Sequence, residues 1–317
     1  MDDAVIRASG LTKAFGNNTA VDHLDLEIGR GELFGLVGPD GAGKTTTMRL
    51  LTTVMEPTSG EAFVAGHSVT SEGERIKEKI GYMSQRFGLY EDLTVMENIL
   101  FYADIYDVSE EERPSRIERL LSFSNLTPFK DRLAGKLSGG MKQKLGLACA
   151  LIHTPEVLFL DEPTNGVDPV SRRDFWKILY DLLKENVTIF VSTAYLDEAE
   201  RCSRIGLMHK GRLLITDEPV NIKKGLGKPM VEIWLDDPRG AAIVVRAEKG
   251  VANVNVYGDR IHVMLDSEEA LPGALDALKK ADMDIRDYRR ALPSIEDVFI
   301  SMIEGSPSAG SAGVHNE

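Results

Sequence analysis

Cysteine is almost missing from this 317-residue chain, which has only Cys149 and Cys202. They stand in no CxxC or zinc-ligand spacing, which excludes a disulfide framework and a cysteine metal knuckle and suits a reducing cytosol. Long hydrophobic runs are missing too. No apolar stretch approaches the ~18 to 20 residues that span a bilayer, and Leu145 to Ile152 has the length of a core helix. Met1-Asp2-Asp3 is acidic and lacks the basic and apolar regions of a signal peptide, so secretion is not expected. Positive charge is the minority sign, with 37 Lys+Arg against 50 Asp+Glu and a formal net charge of −13. That balance argues against a surface made to coat nucleic acid. What remains is an ordinary globular composition, 43% hydrophobic and 27% charged. The length allows one large domain and a smaller one. The expectation is a soluble cytosolic protein.

The first two hundred or so residues alternate short apolar runs with helical patterns, as an α/β core does. Leu24, Leu26 and Ile28 alternate at period two, which predicts a half-buried strand. Glu32 to Val37 predicts the next strand, followed by a Gly-rich loop and a helix over Lys44 to Val54. Val157 to Leu160 and Val187 to Val191 are unbroken apolar runs, as in strands of a mixed or parallel sheet buried on both faces. Between about Leu93 and Leu133 the pattern is helical twice over, with Ser109 before Glu110, Glu111 and Glu112 reading as an N-cap. Beyond about Gly225 the strand-like segments are Val231 to Leu235, Ala242 to Val245, Val254 to Val256 and Ile261 to Leu265. Gly258-Asp259 supplies a turn, and Glu268 to Lys280 reads as a helix. This region predicts a small α+β domain, and the Gly/Ser-rich tail from Ser306 predicts disorder.

Chemistry concentrates at three places. Gly38-Pro39-Asp40-Gly41-Ala42-Gly43-Lys44-Thr45 matches GxxxxGK[ST] between a predicted strand and helix. The glycines let backbone N–H groups close around phosphate oxygens, and the helix N-terminus adds its positive dipole end. Lys44 is placed to reach the β- and γ-phosphates and Thr45 to bind Mg²⁺. Second, the predicted strand from Val157 ends in Asp161 and Glu162. A carboxylate at that strand end can hold Mg²⁺ through water, and Glu162 can accept a proton from an attacking water. Third, Ser138 is a good N-cap for the helix ahead of His153, with Gly139 and Gly140 leaving its first N–H groups open to an anion.

In this order, these segments resemble the nucleotide-binding subunit of an ABC transporter over roughly Ile6 to Thr216. Gly38 to Thr46 resembles the Walker A loop, Leu158 to Glu162 the Walker B strand, and Asn165-Gly-Val-Asp168 the D-loop. Leu137 to Gln143 resembles the LSGGQ signature, with Met141 where Gln is usual. The resemblance implies a P-loop NTPase core with a mixed sheet and a helical subdomain, binding ATP and Mg²⁺. It implies that Gln85 senses Mg²⁺ and couples to the membrane subunit, with the groove for a permease helix running on through Phe87 to Leu93. Phe15 falls at the adenine-stacking position, although a core Phe on a strand would read the same. In this family two domains dimerise head to tail, so Ser138, Gly139 and Gly140 would touch the γ-phosphate held by the partner. The expected layout is an ATPase domain over 1–224, with its helical subdomain at about 93–153, an accessory domain over 225–305 and a disordered tail over 306–317.

One position departs from the family. Val191-Ser-Thr-Ala194-Tyr195 resembles the switch loop, where most relatives carry His in place of Ala194. Losing one positioned transition-state donor commonly lowers a rate by ~10² to 10³. Glu162 remains as the base, so the expectation is a slow ATPase, with Thr193 or a partner residue as substitutes for the imidazole. Leu292 to Ile300 resembles the end of ABC-2-type exporter subunits, including drug-resistance systems. The implied partners are a second nucleotide-binding domain and a polytopic permease, with no nucleic acid, and the implied location is peripheral, on the cytoplasmic side of the cell membrane. A soluble ABC protein acting on nucleic acid is the competing class; the chain lacks the paired ATPase domains, coiled-coil insertion or zinc cysteines usual there.

Overall fold

The computed structural model describes residues 4–85 and 88–305. Phe87 and the tail from Ser306 lie outside the described residues. The chain divides into two compact units between Thr216 and Asp217.

In the first unit, β1 (Ala4–Phe15) and β2 (Asn18–Gly29) pair as a long antiparallel hairpin. On β2, buried Leu24, Leu26 and Ile28 alternate with exposed Asp25 and Glu27, as their spacing predicts. β3 (Leu33–Val37) runs into α1 (Lys44–Leu51). β4 (Ser59–Val64) and β5 (His67–Ser68) complete an antiparallel sheet in the order β2-β1-β4-β5. After α2 (Gly73–Lys79) and β6 (Ile80–Met83) come α3 (Val95–Ile105), α4 (Arg113–Phe123) and α5 (Gly139–Leu151), with α3 and α4 packed on α5. Ser109 caps as expected, its Oγ accepting from the Glu112 N–H at 3.4 Å, but residues 110–112 form a turn and regular helix α4 begins only at Arg113. Pro114 explains the shift, since a residue without an N–H suits the first helical turn, where donors have no internal partner.

β7 (Val157–Asp161), α6 (Pro169–Lys184), β8 (Thr188–Thr193), the single turn α7 (Leu196–Ala199), β9 (Arg204–His209) and β10 (Arg212–Asp217) complete this unit's elements. The second sheet has the order β10-β9-β3-β8-β7-β6; β3 is parallel to β8 and β9, and β7 to β8 and β6. Every residue of β3, β7 and β8 is buried, which is why apolar residues dominate them. Register sets Val37 opposite Thr193 and Asp161 opposite Ser192. Parallel strands finish at one edge, so the loop after β3 and the ends of β7 and β8 meet there. This is the edge where open α/β sheets bind ligands.

The second unit opens with α8 (Pro219–Gly225), which packs against the last helix of the same unit. β11 (Met230–Leu235), α9 (Pro238–Arg246), β12 (Val251–Tyr257), β13 (Arg260–Leu265), α10 (Leu271–Lys280), β14 (Ile285–Ala291) and α11 (Ile295–Gly305) follow. The sheet is antiparallel, in the order β12-β13-β11-β14. Ala242 to Val245, expected as a strand, is corrected to the middle of α9. The Asp237 side chain accepts from the Gly240 N–H and Pro238 fits the first turn, so a capped start overrides the short apolar run. Ala241, Ala242 and Val245 then pack onto Val231, Ile233 and Ile261 of the sheet in this unit's core.

Candidate functional site

Gly38 to Gly43 joins β3 to α1 at the shared strand edge. Gly43 sits at φ +111°, and a Cβ there would come within 2.3 Å of the Ala20 carbonyl oxygen, so only glycine closes the loop. A Cβ on Gly38 would meet the Met208 carbonyl oxygen at 2.2 Å. As N-cap, Gly43 offers α1 no side-chain acceptor, so the first-turn N–H groups at Lys44, Thr45 and Thr46 are left for an anion. The loop borders an open cleft of about 760 Å³, lined among others by Phe15, residues 40–46, Gln85 and Glu162. Gly38 and Pro39 stand behind it, where their carbonyls accept from Lys44 Nζ at 2.7 and 3.1 Å. Phe15 is 48% exposed at the end of β1, which removes the core-residue reading and turns its ring toward the cleft.

The carboxylates arrive on β7. Lys44, only 4% exposed, places Nζ 3.1 Å from Glu162 Oε1. Gln85 Nε2 donates to Glu162 Oε2 at 2.9 Å, and Asn165 Nδ2 donates to the same oxygen at 3.3 Å. Glu162 itself sits at φ +50°, a left-handed conformation uncommon outside glycine and concentrated at functional sites. Thr45 Oγ1 donates to Asp161 Oδ1 at 3.1 Å and Ser192 Oγ to the same atom at 2.6 Å. Asp161 Oδ2 is buried without a hydrogen-bond partner. Such an orphaned oxygen beside a threonine hydroxyl fits a divalent cation held mostly by phosphates and water. Among the described residues no cluster of three or more His, Cys, Asp or Glu forms an all-protein metal cage. Nearby, burial pushes the Tyr82 phenol up, and the Asp161 charge adds to the shift.

The residues expected at a partner's nucleotide, and Ala194, do not line this cleft. Ser138 caps α5 by accepting from the Met141 N–H, as expected; Ser138 and Gly139 are exposed, and neither they nor Gly140 line the cleft. Ala194 is exposed just beyond β8. Thr193 does not stand in for an imidazole here: its buried hydroxyl donates to Glu198 Oε2 at 2.8 Å. Sequence reasoning missed Ser192, which ties Asp161 to the Glu162 N–H, and the reach of Asn165 and Tyr195 toward Glu162. The signal for Ser192 was a hydroxyl at the end of an apolar run in a fully buried strand, where it needs a partner.

Comparison with known proteins agrees with this geometry. Residues 21–165 match the family model for "ABC transporter", and residues 218–303 match "ATP-binding protein DrrA1-3-like, C-terminal domain". The chain is 44% identical to the probable multidrug ABC transporter ATP-binding protein YbhF of Escherichia coli, over 98% of this chain and 54% of that one. It therefore spans about half the length of that relative. It is 34% identical to the daunorubicin resistance ATP-binding protein DrrA2 of Streptomyces coeruleorubidus, over 95% of this chain and 96% of that one. Among solved structures, CbiO1 from Clostridium perfringens, part of the ABC transporter complex cbiONQ, superposes with TM-score 0.64 at 26% identity, over 71% and 91% of the two chains. A dimeric ATP-binding cassette in a post-hydrolysis state with ADP and phosphate superposes with TM-score 0.61 at 27% identity, over 67% and 98%.

Proposed function

Because the chain belongs to the family of ABC transporter ATP-binding proteins, we propose that it binds and hydrolyses ATP to drive export through a separate membrane permease. The observation that carries this reading is the convergence of Lys44, Thr45, Asp161 and Glu162 at one cleft. The loop amides and Lys44 bind the phosphates, and Phe15 stacks on adenine. Asp161 and Thr45, with Gln85 beside them, hold Mg²⁺, which neutralises phosphate charge when bound. Glu162 takes the proton of the attacking water. Its Oε2 is oriented by Gln85 and Asn165, and its Oε1 becomes free for that proton once Lys44 pairs with phosphate.

The exposed signature residues support a head-to-tail dimer, homomeric or heteromeric, in which Ser138, Gly139 and Gly140 complete the partner's site. A solved cassette of similar fold is dimeric, and another is part of a transporter complex, which supports both kinds of partner. No described helix is long and apolar enough to cross a membrane, which fits a peripheral subunit on the cytoplasmic face whose permease supplies the pathway. The permease contact follows Gln85 into 88–93, where exposed Tyr90 packs edge-on against Phe101 at 4.5 Å. Nucleic acid is not among the partners. The drug-resistance names of the relatives and the matched C-terminal domain favour an exporter.

Lys44→Ala tests the phosphate site. It removes a charge-assisted contact of about 1.5–3 kcal/mol, so ATP affinity measured by titration should fall at least about tenfold while the fold survives. Unchanged affinity would remove Lys44 from the site. Ala194 makes hydrolysis slow by leaving no donor beside the γ-phosphate. Ala194→His should then raise the steady-state rate about tenfold or more, and a rate that stays flat or falls would reject that cause.

A further inference from the structure

A chain of hydrogen bonds enters the cleft from the side of Ala194. Asn165 Nδ2 donates to Glu162 Oε2 at 3.3 Å, and the Tyr195 hydroxyl donates to Asn165 Oδ1 at 3.4 Å. Tyr195 is itself held in two ways. Its N–H donates to Thr193 Oγ1 at 3.0 Å, and the Arg172 guanidinium lies over its ring at 4.3 Å. Both anchors lead back to Glu198, a carboxylate with no exposed surface. Glu198 accepts from Thr164 Oγ1 at 2.6 Å, Thr193 Oγ1 at 2.8 Å and Trp176 Nε1 at 3.2 Å, and Arg172 Nε lies 3.5 Å from it.

A side-chain amide has a donor end and an acceptor end, and an exposed one can present either. Asn165 is exposed on its loop. If it flipped, its carbonyl oxygen would face the Glu162 carboxylate, acceptor against acceptor. A hydroxyl donating to Oδ1 from the far side favours the orientation that points Nδ2 at Glu162. Ala194, the neighbour of Tyr195, has no polar side-chain atom to do this.

We propose that Tyr195 is a positioning residue for hydrolysis, orienting the Glu162 carboxylate through Asn165. The proposal rests on Glu162 being the base. Tyr195 touches neither Glu162 nor the reacting atoms; it selects the amide orientation that holds Oε2 and leaves Oε1 aimed at the water.

Tyr195→Phe removes the hydroxyl and keeps the ring over which Arg172 lies. The expected result is a fall in kcat of about tenfold with KM, ATP affinity and melting temperature unchanged, the loss belonging to orientation rather than binding. A double-mutant cycle separates this from general loosening: in an Asn165→Ala background, Tyr195→Phe should lower kcat less than about twofold, because the residue it acts through is gone. In nucleotide-free protein, the Asn165 side-chain amide signals in an NMR spectrum should move in Tyr195→Phe. An unchanged kcat, an equal loss in both backgrounds, or unmoved Asn165 signals would each overturn the proposal. Glu162→Gln tests the underlying reading separately: if that variant hydrolyses ATP at the parent rate, the base assignment fails whatever Tyr195 does.

Discussion

Among the buried acids of this chain, Glu198 in the first unit and Asp297 in the second each gather several donors, and the two differ in where those donors lead. In the first unit, Glu198 gathers Thr164, Thr193 and Trp176. Thr164 lies two residues after Glu162, and Thr193 ends β8 beside Ala194, so the anchored segments are those that carry the cleft's chemistry. In the second unit, Asp297 accepts from Asn255, Tyr257, His262 and the Ser294 N–H and hydroxyl. Those donors belong only to β12, β13 and the start of α11, so Asp297 fastens a helix to its sheet. Similar chemistry fixes the segments of a site in one place and a fold in the other.

Two aromatics, exposed Phe15 and half-buried Trp234, repeat the contrast. Phe15 opens onto the cleft with Lys13 Nζ 5.4 Å from its ring centroid. Trp234 has the guanidiniums of Arg260 and Arg289 over its ring at 5.2 and 4.9 Å, so its π surface is already engaged within its own unit.

The comparison can be broken at several strengths. Glu198→Ala should have the largest effect: it strips the partners from three buried donors and Arg172, and should lower unfolding free energy by about 3–5 kcal/mol in denaturant titration. It should also lower kcat at temperatures where the protein stays folded. A variant with parent kcat would show that the anchoring is structural alone.

Asp297→Ala should follow, at about 3 kcal/mol, with ATP affinity within twofold of the parent. A matching loss of ATP affinity would erase the distinction between the two acids. Burial alone would raise the Asp297 carboxyl, but hydrogen bonds from His262, Asn255 and Ser294 together hold it well below the usual carboxylate range. A depressed folded-state value stabilises the protein above the unfolded value and loses that contribution as pH falls toward the folded one. The second unit's share from Asp297 should therefore be intact at neutral pH and fade only below about pH 4. Acid titration of the parent against Asp297→Asn checks the sign, because the variant should lack that decline.

Phe15→Ala should give the smallest change, a loss of about 1–2 kcal/mol in ATP affinity, roughly five- to thirtyfold, from lost stacking on the base. Trp234→Ala should leave ATP affinity alone. If the two variants bind ATP equally, Phe15 is not the stacking residue.

The phosphate loop was legible because its chemistry demands residue types: glycine where a Cβ would strike the Ala20 or Met208 carbonyl, and lysine where α1 begins. The buried strands were legible for a related reason, since β3, β7 and β8 are buried along their whole length and carry apolar runs at Leu33–Val37, Val157–Leu160 and Ile189–Val191. Other elements were set by context. Ala242 to Val245 looked like a strand until the start signal at Asp237-Pro238 is given its weight. β14 hides among the charges of Ile285–Ala291 because it is an edge strand, paired only with β11 and largely exposed. Charged edges of this kind resist unwanted pairing. The Glu162, Asn165 and Tyr195 chain depends on side-chain directions across 33 residues of sequence and had no local mark. The separation of Ser138 from the cleft could not come from composition or spacing, since it belongs to tertiary packing.

The central claim is that Glu162 is the base of an ATPase whose site is completed by a second domain. Glu162→Gln, purified and incubated with ATP and Mg²⁺, tests both halves in one sample by size-exclusion chromatography and phosphate release. The account predicts a dimer that forms only with ATP and a turnover at least about 10²-fold below the parent. A monomer that hydrolyses ATP at the parent rate would contradict it.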